Sequence, residues 1–314
     1  MVFPALLSDI VASLRDDHLE LTAYLNEICD RIEASDPQVQ ALLPEANRKV
    51  RLMKEAAAYC GIVGFKPSYG RISTGGLIFF SESADHVGIF TQDVAGITLA
   101  ASILCSDWRP FTEGSRLPVL GVPDGPYLKQ ASAEGLAAFE RQLALLEEAG
   151  YSVRRVPALE DIASIDRRHR KMIAAEMAQV HAQWFLHNEP LYRPQTAALI
   201  REGREVKLEE LAEGRASRGR VRAQLETLMA ESRIDLWVSP AAPGPAPKGI
   251  GSTGDPAMNM PWTHAGLPAV TLPAGLASSG LPLGLQFVAR FMADERLLGW
   301  AEVLGKILDK KRSG

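Results

Sequence analysis

The chain has 314 residues, of which 46% are hydrophobic and 23% charged, and its formal net charge is −4. That balance excludes a disordered tail, a collagen-like chain and a bare coiled coil, and the acidic sign argues against a protein that coats nucleic acid. No apolar run approaches the roughly 18 residues a membrane span needs, and the longest, Ala95 to Cys105, is interrupted by Thr98 and Ser102.

The opening MVFPALLSDIV has no basic residue before its short apolar patch, so it does not read as a signal peptide. Leu19, Leu21, Leu25, Ile28 and Ile32 recur at helical spacing until Ser35-Asp36-Pro37 stops the pattern. A second helix is predicted after Pro44, in EANRKVRLMKEAAA, and the texture changes abruptly at Ala57-Ala58-Tyr59. GIVGFK then reads as a strand, PSYGRISTGG as turns, and HVGIFT as another strand, after which Asp93 opens an apolar helix through Leu104.

A strand-helix-strand unit follows: LPVLGVP, an amphipathic helix over Ala131 to Ala149 closed by Gly150, and YSVRRVP. Residues 166–232 are helical and charged. The basic run RRHRK, Arg167 to Lys171, reads as a solvated helix face because no aromatic residue interleaves it. DLWVSP is a buried-strand pattern, followed by a Pro/Gly-rich loop, the strands PAVTLP and LGLQFVA, and a last helix from Asp294 to Leu308. The alternation predicts an α/β fold, a mixed central β-sheet covered by helices on both faces, built as one domain over residues 1–314.

Few motifs carry chemistry. GIGSTG at Gly249 to Gly254 matches the dinucleotide fingerprint in letters only, because a Pro-rich loop precedes it and Asp255-Pro256 follows. The histidines show no metal-ligand spacing and read as satisfied or surface residues; neither a metal nor a cofactor is expected. Cys29, Cys60 and Cys105 lack any C-x-x-C spacing and read as reduced thiols of a cytoplasmic protein. Cys60 with His86 could be written as a nucleophile pair, but a thiol at the start of an apolar strand is better explained by packing. Glu160-Asp161 reads as charge bias at a helix N-terminus.

The stretch AAYCGIVGFKPSYGRIST, then GLIFFSESADHVGIFTQDV, resembles the amidase signature family of amide-bond hydrolases. GDPAMNMPWTHAGLPAVTLPAGL and GLPLGLQFVARFMADERLL resemble the family's closing strands and last helix, and LTAYLNEICDRIEASDPQVQALL its N-terminal helix pair. The resemblance implies a Ser-Ser-Lys triad acting on a small amide. It also implies a substrate funnel that Phe79, Trp262 and Thr263 would line.

The triad itself has no counterpart. The residues before Ala57-Ala58-Tyr59-Cys60 are VRLMKEA, which puts Leu52 where the nucleophilic serine is expected and Val50 and Arg51 where its two glycines are expected. Lys49 and Lys54 lie in the helical run, no Gly/Ser-rich loop occurs upstream, and no catalytic residue is assigned. The expectation is a truncated framework with an internal deletion junction near residues 55–58 and loss of the hydrolase activity, the alternative being a non-catalytic binding or assembly protein. Ser73, Ser81 and Ser83 are the first places to look for a substitute nucleophile. Gln92 stands where the family usually carries an arginine. Sheet edges and helix faces that lost central strands would favour self-association.

Overall fold

The computed structural model describes residues 61–111, 116–249 and 252–310, with a few isolated positions before residue 31. Apart from Asp30, which is helical, the predicted helices at 19–32 and 44–57 lie outside the described residues, as do Cys60 and the expected junction.

Seven strands form one mixed sheet: β1 (Val63–Lys66), β2 (Ile89–Thr91), β3 (Leu120–Asp124), β4 (Val153–Pro157), β5 (Leu236–Pro240), β6 (Ala269–Leu276) and β7 (Pro282–Val288). Their spatial order is β2-β1-β6-β7-β5-β3-β4. Pairing is antiparallel from β2 through β5 and parallel for β5-β3-β4. The parallel pair β3-β4 encloses helix α2 (Ala133–Glu148), as the strand-helix-strand pattern predicts. Gly150, at φ +92, ends that helix; Gly150 N–H donates to Glu147 O and Tyr151 N–H to Leu146 O, at 2.9 and 3.0 Å.

Helix α1 (Val94–Leu104) starts where Asp93 accepts a bond from Gly96 N–H at 2.8 Å. The charged stretch after β4 is helical as expected and divides into four helices: α3 (Ile162–Val180), α4 (Ala182–Asn188), α5 (Pro194–Arg204) and α6 (Leu208–Glu231). Pro190 and Pro194 lie at the break between α4 and α5, and Pro194 is the first residue of α5, where a missing N–H costs nothing. The short α7 (Met260–Ala265) leads into β6, and α8 (Asp294–Lys310) packs on β6 and α1.

Strand register sorts the side chains. Phe65, Val270, Phe287 and Val238 are cross-strand partners in one row, and all are buried in the core. The next row, Gly64, Thr271, Gln286 and Ser239, faces the other side of the sheet because successive residues alternate. Among the described residues no helix is long and apolar enough to cross a membrane.

Most of RRHRK is the solvated face expected. Arg168 pairs with Asp161, Arg170 with Glu202 and Lys171 with Glu210. His169 departs from that reading by turning inward against the buried His264.

Candidate functional site

The row Gly64, Thr271 and Gln286 forms part of the floor of a cavity of about 520 Å³. One wall is the end of β1 with Lys66 and the loop carrying Asp85 and His86; the opposite wall is the Pro/Gly-rich loop and α7, with Asn259 and Thr263. The glycine-rich segment read from sequence as a false dinucleotide motif contributes Thr253 and Gly254 to the rim.

A buried polar network fixes the α7 wall. Tyr127 Oη donates to Met258 O at 2.7 Å, Gln286 Nε2 donates to the same carbonyl at 2.7 Å and to Ser239 Oγ at 3.0 Å, and Trp262 Nε1 donates to Tyr127 Oη at 2.8 Å. Met258, Trp262 and Tyr127 are shut off from solvent, so these bonds form away from competing water. Asn259 donates from Nδ2 to Ala241 O at 3.0 Å, which ties α7 to the end of β5.

The opposite wall is held by Glu176 of α3, which is 1% exposed. Its carboxylate accepts Ser81 Oγ–H at 2.6 Å, Ser83 Oγ–H at 2.6 Å and Ser83 N–H at 2.9 Å, and pairs with Arg215 of α6 at 2.7 Å. Burial alone raises the Glu176 carboxyl pKa, and these donors more than reverse it, so the net shift is downward. Asp85 adds a turn within the loop by accepting Phe80 N–H at 2.6 Å and Ser81 N–H at 3.2 Å. These bonds place His86 at the cavity.

Lys66 is the cavity residue that sequence reasoning missed. Helix α7 ends at Gly266, in the left-handed region at φ 72, and Leu267 N–H closes the turn on Trp262 O at 3.1 Å. That turn presents the Leu267 carbonyl to Lys66 Nζ, which donates to it. Burial lowers the Lys66 pKa to about 7; Asp294 opposes that shift and Arg218 adds to it. Its sequence signal is faint: a lysine ending an apolar strand, directly before a proline.

Of the residues expected to line a funnel, Thr263 does line this cavity. Trp262 does not: it is 0% exposed and packs edge-on to Tyr127 in the core. Phe79 lies half-buried in the loop before Ser81, away from the cavity wall. Ser81 and Ser83 are occupied as donors to Glu176, and Ser73 Oγ accepts Gly75 N–H in a turn at 3.3 Å.

One further set looks catalytic by distance. Ser217 Oγ lies 2.6 Å from His264 Nε2, and His264 Nδ1 lies 3.1 Å from His169 Nδ1. The hydroxyl has a single proton, and Gly214 O, 2.9 Å away, can only accept it. His264 Nε2 therefore donates to Ser217 rather than deprotonating it, and His169 Nδ1 donates to the remaining lone pair. The set is a helix-packing network with no access to the cavity.

Among the described residues, no three His, Cys, Asp or Glu side chains gather as a metal site. Cys105 is a buried free thiol whose pKa is pushed up to about 11, chiefly by burial, which leaves it unreactive. Asp161 begins α3 without capping it, and serves as the ion-pair partner of Arg168 instead.

An amidase family model matches residues 54–298. The A-subunit of the mitochondrial glutamyl-tRNA(Gln) amidotransferase from Xenopus tropicalis is 28% identical over 303 residues, covering 82% of this chain and 58% of the Xenopus protein. The corresponding protein of Neisseria meningitidis serogroup A is 27% identical over 298 residues, covering 79% of this chain and 60% of its own. The chain thus spans less than two thirds of these relatives. A crystal structure of an amidase superposes with a TM-score of 0.73 at 27% identity, covering 80% of this chain and 59% of that one. A 6-aminohexanoate cyclic dimer hydrolase shares the fold, with a TM-score of 0.67 at 21% identity over 80% of this chain and 61% of its own.

Proposed function

Because the chain belongs to the amidase family, we propose that it descends from a hydrolase of carbon–nitrogen amide bonds and keeps the binding side of that pocket without its catalytic side. The observation that carries this reading is the cavity itself. Its walls come from residues 64–90 and 241–286, all inside the matched range, and they are held by satisfied polar networks. The stretch that the resemblance expects to supply the nucleophilic serine and its two glycines reads VRLMKEA instead.

Amide hydrolysis by a serine needs a hydroxyl within reach of a base, and donors to hold the oxyanion. Four serines are already committed as donors elsewhere: Ser68 to Asp294, Ser81 and Ser83 to Glu176, and Ser217 to a carbonyl. A carboxylate whose pKa is depressed is a poor base for a hydroxyl. The proposed role is therefore binding of a small amide-bearing molecule, without turnover by the family's route. A deletion that joins the helix ending near Glu55 to the strand beginning near Gly61 accounts for the missing parts.

A broad fluorophosphonate probe tests this directly. The expected result is no stoichiometric labelling of the full chain; labelling at one serine overturns the inactive reading and identifies the nucleophile. The assembly reading has its own support in four exposed apolar side chains, Leu77, Ile78, Ile103 and Leu104, at 50, 64, 76 and 50% exposure. It is tested by size-exclusion chromatography, where a clean monomer with a cooperative thermal transition rejects it.

A further inference from the structure

Lys66 has three N–H donors. One goes to Leu267 O, and Pro67 O is reached only at 3.5 Å. Among the described residues no carboxylate lies within ion-pair distance of it. The negative charge that acts on Lys66 is Asp294 of α8, already occupied by Ser68 N–H at 2.7 Å and Ser68 Oγ–H at 2.6 Å.

A second cation lies close behind. Arg218 of α6 stacks over the Tyr69 ring at 4.3 Å, and its Nε and Nη2 are buried without hydrogen-bond partners among the described residues. Tyr69 in turn meets the His86 ring edge-on at 5.4 Å. Among the described residues neither cation has a carboxylate within ion-pair distance, an arrangement that is costly in a protein interior, and Lys66 opens on a cavity.

His86 adds the complementary feature. Its Nδ1 lies 2.6 Å from Ala84 O, which can only accept, so Nδ1 carries the ring proton. Nε2 is then a bare lone pair, buried with no hydrogen-bond partner among the described residues. The same cavity end thus offers an unbalanced positive charge and an unfilled acceptor. Phe90, Ala241 and Ala242 supply apolar wall beyond them.

We propose that this end of the cavity is an anion subsite that seats the carboxylate of a small organic acid on Lys66, with a hydroxyl or N–H of the same ligand donated to His86 Nε2. This goes beyond the amide-binding reading, because a neutral amide carbonyl would leave the Lys66 charge uncompensated. A carboxylate supplies the missing counter-charge and draws on the field of Arg218 as well. A carboxylate with an adjacent donor also fills His86.

The charged and titratable groups facing Lys66 are Asp294 from α8, Arg218 from α6 and His86 from the loop. Burial, and then the Lys66 charge, hold the His86 ring at about 2, so it stays neutral throughout the useful range. Lys66, at about 7, titrates within it. Above that pH the ligand must bind together with a proton, and its affinity falls by about tenfold per pH unit.

The test is isothermal titration calorimetry on the full chain with three probes: phenyllactate, 3-phenylpropionate and the neutral phenyllactamide. Phenyllactate is expected to bind most tightly at pH 6 and to weaken about thirtyfold by pH 8.5. 3-Phenylpropionate, lacking the hydroxyl, is expected to bind more weakly with the same pH dependence. Lys66→Met is expected to abolish binding of both acids, and His86→Phe to remove only the preference for the hydroxy acid. If Lys66→Met fails to fold, the wild-type pH profile reads the same charge. Binding that ignores pH, no binding of either acid, or phenyllactamide binding as tightly as phenyllactate would each overturn the anion subsite. The amide reading fails separately, if phenyllactamide does not bind at any pH, and fluorophosphonate labelling is independent of both.

Discussion

The Trp262 indole donates to the Tyr127 hydroxyl at 2.8 Å, and both side chains are 0% exposed. The two residues are 135 positions apart in the chain, and their bond joins the segment after β3 to α7, the helix that carries Thr263 to the cavity. Tyr127→Phe removes the acceptor for Trp262 and the donor to Met258 O while keeping the ring. The expected loss is about 1–3 kcal/mol, the cost of orphaning buried polar groups, read as a lower urea midpoint with an unchanged slope.

Glu176 should govern the acid behaviour of the opposite wall. Its folded pKa is depressed, so its contribution to stability is present above the unfolded value near 4.3 and is lost as pH falls through the folded value. Glu176→Gln is expected to lose stability at pH 7 and to show a flatter acid limb below about pH 4. Equal acid limbs in both proteins would remove Glu176 from this role.

The buried histidines act at milder pH. Burial is the main cause that lowers His264 to about 3 and His169 to about 4, against 6.5 for a free ring. The folded state then binds fewer protons than the unfolded state between those values, so stability falls as pH drops below about 6.5. His169→Gln is expected to make that decline shallower, by up to about 1.4 kcal/mol per pH unit. Urea unfolding at several pH values between 4 and 7 measures it.

Two glycines should respond with opposite signs. A Cβ on Gly203 of α5 would meet Ala174 O of α3 at 1.9 Å, a backbone atom that cannot step aside. Gly203→Ala is expected to cost about 1–3 kcal/mol by forcing the helices apart. Gly219, exposed within α6, has nothing within 4 Å of the same built atom. Gly219→Ala is expected to stabilise by about 0.5–1 kcal/mol, because alanine is the better helix former. Thermal melts of the two variants, expected to shift in opposite directions, check both.

The local chemistry of the sequence determined the order of elements from residue 61 onward. β-branched runs bounded by turn formers gave the strands, Asp93 the start of α1, and Gly150 the end of α2. The family was legible too, because its signature segments survive in order within the matched range. The partition of residues 166–232 was less legible, since the breaks at Pro190 and near Arg204 fall inside a stretch of uniformly charged, helix-forming composition.

The site was decided by tertiary structure. Trp262 and Thr263 are neighbours, and a helix turns about 100° per residue, so one enters the core while the next faces the cavity. Which does which depends on where Tyr127 and Gln286 sit, not on anything in PWTH. Lys66 is reached by Leu267 O only because β1 pairs with β6 across 201 residues of chain. His169 reads as one more charge in RRHRK until α7 brings His264 against it. In each case the residue type was visible in the sequence, while the direction it faces was set by strand register and helix packing between distant segments.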